Sequence, residues 1–192
     1  MKQRDKHSRL ASKQGFRARS IFKLQQINKR FEVIKKSNSV LDLGSYPGSW
    51  LQWLSQHVEG FILGVDIQKI NPIKGTEFLQ ADLTEEDTIT KIKEIRETFD
   101  VVVSDAAPKT TGMIIVDTAR SYDVCKATLN IAVKVLKPKG NYVAKMYQGE
   151  ETDLFFKEVK QHFHKVFLYR PRTTKRRSKE VFIIAKGLKA KN

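Results

Sequence analysis

The run V-L-D-L-G-S-Y-P-G-S-W at residues 40–50 limits what this chain can fold into more than any other stretch. Four residues of strand type, Val40 to Leu43, contain one acid, Asp42. They break into Gly44, Pro47 and Gly48, and an apolar helical spacing follows at Trp50, Leu51, Leu54 and Val58. A strand, a glycine turn and a helix make the first unit of a doubly wound α/β sheet, whose ligands sit at the carboxyl ends of the strands. Glycine at such a turn lets the backbone approach a ligand, because no Cβ intervenes.

The rest of the chain repeats that alternation. Ser20 is placed to cap a helix running to about Arg30, with an apolar stripe at Ile21, Leu24, Ile27 and Phe31 and cations Arg17, Arg19 and Lys23 around its start. Residues 61–66 read as a second strand and 76–80 as a third, followed by Ala81 and Asp82. Thr84 with Asp87 resembles a capping box, opening a helix to about Thr98. Residues 99–104 read as a fourth strand, running into Asp105. A helix from about Thr118 to Leu136 is stopped by Pro138 and Gly140. Residues 142–146 form a fifth strand containing Lys145, residues 153–163 a helix, and 166–169 and 181–185 two last strands around the basic loop R-P-R-T-T-K-R-R-S-K. Seven strands alternating with helices predict an α/β fold, a mostly parallel sheet with helices on both faces. Residues 1–192 are expected to form one domain. Residues 1–14 have no apolar period and are expected to be mobile until bound; residues 187–192 are expected to be a basic tail.

Charge separates the ends from the body. The formal net charge is +15, yet residues 1–38 hold 12 Lys and Arg against 2 acids, residues 170–192 hold 9 against 1, and the stretch between holds 15 against 18. A near-neutral body with two basic ends points to a polyanionic partner, most simply nucleic acid. A lone cysteine, Cys125, excludes an intramolecular disulfide; it lies on a helical stripe, which suits core rather than nucleophile. No run approaches the ~18 apolar residues of a membrane span, and no signal peptide opens the chain. A cytoplasmic monomer without a metal site is expected.

Three of the strands end in acids: Asp66, Asp82 and Asp105. Alone, each reads better as a turn or cap residue; together at strand ends in one sheet they lie along one rim and favour a site. An acid after the second strand accepts two hydrogen bonds from a ribose diol. One after the third accepts from the adenine amine, and one after the fourth faces a cationic centre. S-adenosylmethionine offers all three partners. A pyrophosphate cofactor fits poorly, because G-x-G-x-x-G is absent and a row of carboxylates repels phosphate. That argues against a nicotinamide oxidoreductase. Lys145 interrupts a strand where a central position should be apolar. A half-buried lysine near other cations gives up its proton more readily and can act as a base.

In G-F-R-A-R-S-I-F-K-L at 15–24, D-L-G-S-Y-P-G-S-W at 42–50, V-S-D-A-A-P at 103–108, K-M-Y-Q-G at 145–149 and R-S-K-E-V-F at 177–182, the chain resembles the FtsJ/RrmJ (RlmE) family of ribosomal RNA 2′-O-methyltransferases. The resemblance runs from about Gly15 to Ala185. It implies a Rossmann-like S-adenosylmethionine-dependent methyltransferase acting on a uridine of large-subunit ribosomal RNA, free or in the subunit. The family's Lys-Asp-Lys-Glu tetrad falls on Lys23, Asp105, Lys145 and Glu180. Its cofactor residues fall on Gly48, Trp50, Asp66, Asp82 and Asp105. Ser45 and Tyr46 stand where two alanines are usual, Ser49 where a glycine precedes the tryptophan, and Lys109 where asparagine is common. The leading stretch also resembles relatives that methylate the tRNA anticodon loop, so transfer RNA stays an alternative substrate. A basic RNA-binding protein without turnover is the alternative from another class, and the intact tetrad argues against it.

Overall fold

The computed structural model describes residues 6–175 and 177–190. Its elements are α1 (Lys6–Lys13), α2 (Ile21–Phe31), β1 (Val40–Leu43), α3 (Ser49–His57), β2 (Ile62–Asp66), β3 (Glu77–Gln80), α4 (Thr88–Ile95), β4 (Phe99–Ser104), α5 (Ile114–Val135), β5 (Leu136–Tyr147), α6 (Thr152–His162), β6 (Phe163–Tyr169) and β7 (Glu180–Leu188). The strands form one sheet in the order β3-β2-β1-β4-β5-β7-β6. β3 through β5 run parallel, and β7 lies antiparallel between β5 and β6.

Alternation along the strands builds two cores. Leu41, Leu43, Val65 and Val102 face α4, α5 and α6, where they meet Ile92, Cys125, Leu129, Phe155 and Val159. Val40, Ile62, Val101 and Val103 face α2 and α3, where they meet Ile21, Leu24, Ile27, Trp50 and Leu54. Being covered on both faces is why the central strands read as mostly apolar runs rather than alternating ones.

Several local expectations change. Residues 6–13 of the expected mobile segment form α1, which buries Ala11 and sets His7 6.0 Å from the Phe22 ring; residues 1–5 lie outside the described residues. Ser20 makes no cap bond to α2, because its hydroxyl is bonded to that of Ser49 at 2.8 Å. Thr84 makes no capping box either. Its backbone N–H and hydroxyl both donate to Asp82, and α4 starts later, at Thr88. Pro138 and Gly140 do not separate α5 from β5. The strand begins at Leu136 and accommodates them in an irregularity where the pairing jumps from Phe99–Leu136 to Val101–Asn141, with Lys139 at φ 65°. The expected tail also starts later, since Gly187 and Leu188 close β7; residues 191–192 lie outside the described residues.

Candidate active site

Four chain segments at strand ends build one rim. β2 stops at Asp66, β4 runs into Asp105, Asp82 lies two residues past β3, and Gly44 follows β1; all four line a cavity of about 360 Å³. The strand order sets them in a row: Asp82, Asp66, Gly44, Asp105. At ~4.8 Å per strand the row spans about 14 Å. Strand order reverses beside β1, the crevice in which doubly wound sheets hold ligands.

Local bonds hold each part in place. Asp66 Oδ2 accepts the Tyr46 N–H at 2.9 Å, and its Oδ1 accepts that of Gln68 at 2.8 Å. Asp82 Oδ1 accepts the Thr84 N–H at 2.9 Å and its hydroxyl at 2.7 Å. These two bonds, the backbone one first, hold the Asp82 carboxyl below its usual range. Gly44 has φ +74°, and a Cβ there would stand 2.5 Å from Ala106 Cβ and 2.6 Å from its Cα. Only glycine lets the β1 turn come this close to the segment after β4.

Two ion pairs lie at this end of the row, one of them made by Asp105 itself. Lys145 Nζ lies 3.0 Å from Asp105 Oδ1 and donates to the Asp105 carbonyl. Lys23 Nζ pairs with Glu180 Oε1. The lysines are only 8% and 9% exposed, for Lys23 and Lys145 respectively, so Lys23 is not a helix lysine reaching for solvent. Across the antiparallel ladder Lys145 faces Phe182 and Tyr147 faces Glu180, which sets all four on one side of the sheet. Lys23 arrives on that side from α2, 5.9 Å above the Phe182 ring. The loop before β7 is fastened to α2 and to the residues just before it: Arg19 donates to the Thr173 carbonyl, Gln26 Nε2 donates to Thr173 Oγ1 at 3.1 Å, and the Arg172 N–H donates to Gln26 Oε1 at 2.8 Å. Those contacts carry Glu180 to Lys23. On the other face, Cys125 Sγ donates to the Lys145 carbonyl at 3.1 Å. Burial pushes the Cys125 thiol up to about 12, which fits a core residue rather than a nucleophile.

The structure therefore brings Asp66, Asp82, Asp105, Lys23, Lys145 and Glu180 together. Gly48 and Trp50 do not line the cavity. The Trp50 ring is core: its indole N–H donates to the Ser20 carbonyl at 3.0 Å, and its centroid is 6.2 Å from that of Phe182. Gly48 has φ +103°, and a Cβ there would meet Arg17 Nη1 at 2.7 Å. What these two residues can offer a ligand is backbone at the start of α3. Arg17 donates to the carbonyls of Pro47 at 3.1 Å and Asn71 at 2.9 Å, so its guanidinium ties two loops together.

Sequence reasoning passed over Asp42 and Tyr147. Asp42 is 1% exposed, and among the described residues neither of its carboxylate oxygens has a hydrogen-bond partner; Ser45 Oγ is also buried and unpartnered there. Burial, then the charges of Asp105 and Asp66, push the Asp42 carboxyl well above its usual range. An acid inside four strand residues was the visible signal for it. Tyr147 left no such signal.

Comparison with known proteins follows the same lines. A family profile described as FtsJ-like methyltransferase matches residues 16–188. The Ribosomal RNA large subunit methyltransferase E of Archaeoglobus fulgidus is 42% identical over 176 residues, which cover 92% of this chain and 92% of the relative. The protein of the same name from Methanothrix thermoacetophila is 40% identical over 187 residues, covering 97% of this chain and 73% of its own. Among solved structures, a Plasmodium falciparum protein provisionally described as a ribosomal RNA methyltransferase superposes with a TM-score of 0.82 at 26% identity, over 92% of this chain and 100% of its own. A methyltransferase-like protein of Streptococcus mutans, solved in complex with SAH, has a TM-score of 0.55 at 17% identity, covers 82% of this chain and 90% of its own, and shares the fold.

Proposed function

The chain belongs to the FtsJ-like methyltransferase family, and from that premise we propose that it transfers a methyl group from S-adenosylmethionine to a ribose 2′-hydroxyl, that of a uridine in large-subunit ribosomal RNA. The observation that carries the reading is the row of three strand-end carboxylates running directly into the buried Lys145–Asp105 pair. The cavity has the volume of a small-ligand pocket, and its acids suit a ligand with a diol, an amine and a cationic sulfur. Asp66 would hold the ribose hydroxyls and Asp82 the adenine amine, with Asp105 facing the sulfonium. Gly48 and Trp50 would contribute backbone groups from the start of α3.

When bound, S-adenosylmethionine supplies a methyl group activated by its positive sulfur. Lys145, held by Asp105, would take the proton of the 2′-hydroxyl or steer its lone pair toward that methyl. In the transfer the hydroxyl oxygen would bond the methyl carbon as the carbon–sulfur bond gives way, leaving the sulfur neutral. Asp105 fixes Lys145, and Glu180 fixes Lys23 beside it. Much of the rate comes from holding oxygen and methyl in line. The basic ends bind phosphates and give affinity without sequence information. We place the protein in the cytoplasm, acting as a monomer.

The test is transfer of an isotope-labelled methyl group to unmodified ribosomal and transfer RNA transcripts, followed by mapping of the labelled nucleotide. Label on a ribose of large-subunit RNA supports the reading. Label on a base, or no label in RNA, refutes it; label in transfer RNA alone moves the substrate to the anticodon-loop relatives.

A further inference from the structure

A second cavity opens beside the tetrad, of about 270 Å³ and opposite in chemical character to the first. Its wall includes Tyr147, Ile114, Thr118, Arg177, Ser178 and Lys179. Tyr147 is two residues past Lys145 on the same strand face and is paired with Glu180 across the ladder. The cavity therefore begins where the proposed proton acceptor ends. The acid-lined cavity lies on the Asp105 side of Lys145.

The lip of this cavity is apolar although it faces solvent: Met113, Ile114 and Ile115 are 65%, 58% and 81% exposed. Asp117, the one carboxylate in the wall, accepts the Thr111 N–H at 2.7 Å, the Thr111 hydroxyl at 2.9 Å and the Gly112 N–H at 3.1 Å. It is thereby committed to holding the lip in place. Arg177 and Lys179 also line the cavity, and both are exposed. An aromatic ring, an exposed aliphatic lip and two cations match one unstacked nucleotide, which has a flat base and flanking phosphates. Proteins read single-stranded RNA by such stacking.

We propose that this second cavity receives the base of the nucleotide being methylated, turned out of its strand, with Tyr147 as the stacking surface, Ile114 as the lip, and Arg177 and Lys179 on the flanking phosphates. This rests on the methyltransferase reading above and adds the site that selects the acceptor. With the base in this cavity, its ribose falls over Lys145, between the two cavities.

The experiment measures binding by fluorescence anisotropy, using a short single-stranded RNA that contains the nucleotide methylated by the wild-type protein, and a second RNA abasic at that nucleotide. Tyr147→Ala weakens binding of the intact RNA by about 5- to 150-fold, the worth of one base–aromatic stack. Tyr147→Phe recovers most of the loss. The abasic RNA binds wild type and Tyr147→Ala alike, and S-adenosylmethionine affinity by calorimetry is the same in both. Ile114→Ser, on the exposed lip where folding is not at stake, gives a smaller loss that also vanishes with the abasic RNA. Wild-type affinity in Tyr147→Ala and Ile114→Ser overturns the proposal, as does a loss of equal size on intact and abasic RNA. A wild-type protein that transfers no methyl to RNA fails at the earlier step, refuting the methyltransferase reading and this one with it.

Discussion

The Lys23–Glu180 pair separates what holds the fold from what the site needs. Its side chains are 10% and 12% exposed, so either charge left alone sits in a poorly solvated place. Removing one partner of such a pair costs about 3–5 kcal/mol, whereas replacing both by apolar groups of similar volume is often neutral or stabilising. At ~2–4 °C per kcal/mol for a chain of this length, Lys23→Met or Glu180→Leu alone should lower Tm by about 6–20 °C. The double variant should recover most of that, because Phe182 and the core under α2 can accept the new side chains. Methyl transfer should stay low in all three, by about 10²-fold or more, since the double variant regains packing but not the charges that position Lys145. Calorimetric melts and single-turnover transfer rates check both halves. A double variant as unstable as the singles refutes the desolvation argument. One with wild-type transfer removes the pair from the site.

The other predictions concern single positions. Lys145→Arg keeps a cation beside Asp105 but cannot accept a proton in this range. Single-turnover transfer should fall by about 10²–10⁴ with cofactor affinity intact, and near-normal rates across pH 6–9 would reduce Lys145 to an orienting role. Gly44→Ala combines left-handed strain with overlap onto Ala106, whereas Gly75→Ala has φ +80° and nothing within 4 Å. Strain costs ~1–2 kcal/mol in both and overlap a further ~1–3 kcal/mol in Gly44→Ala alone, so equal urea midpoints would show that the close approach does not matter. Asp42 keeps its proton to a higher pH folded than unfolded. Its contribution to stability is full below the unfolded value, ~3.9, and is lost as pH rises through the folded one. Asp42→Asn removes that loss, so its Tm relative to wild type should climb from about pH 4 upward; parallel curves would contradict the assignment.

The sequence was most legible where one residue type repeats for one reason. β4 appears over the residues expected because a strand buried on both faces is mostly apolar, as Val101, Val102 and Val103 are, and Lys145 stood out because it breaks such a run. The acids at the strand ends were legible because topology alone sets them on one rim. Local chemistry was less reliable wherever a side chain had a choice of partner. Thr84 bonds back to Asp82 rather than capping α4, and Ser20 takes Ser49 rather than its own helix. α1 was missed because it buries one alanine and leans on α2 through His7, a contact between segments that no periodicity within eight residues encodes. Trp50 read as a ligand contact by resemblance, yet its ring packs beneath Phe182. Tyr147 acquires its cavity only from the loop before β7 and the start of α5, which are distant in the chain.

The position of β7 gives the molecule an order of completion. During synthesis β6 emerges before β7, and among the described residues its one neighbour in the sheet is β7. β5 likewise keeps one ladder open until β7 inserts between them. Until then the nascent protein exposes unpaired strand edges of the kind that invite association with other chains. Glu180, the first residue of β7, is also the partner that Lys23 lacks. The same insertion that closes the sheet therefore completes the proposed tetrad, so a growing chain that can still aggregate does not yet have its two buried ion pairs in place.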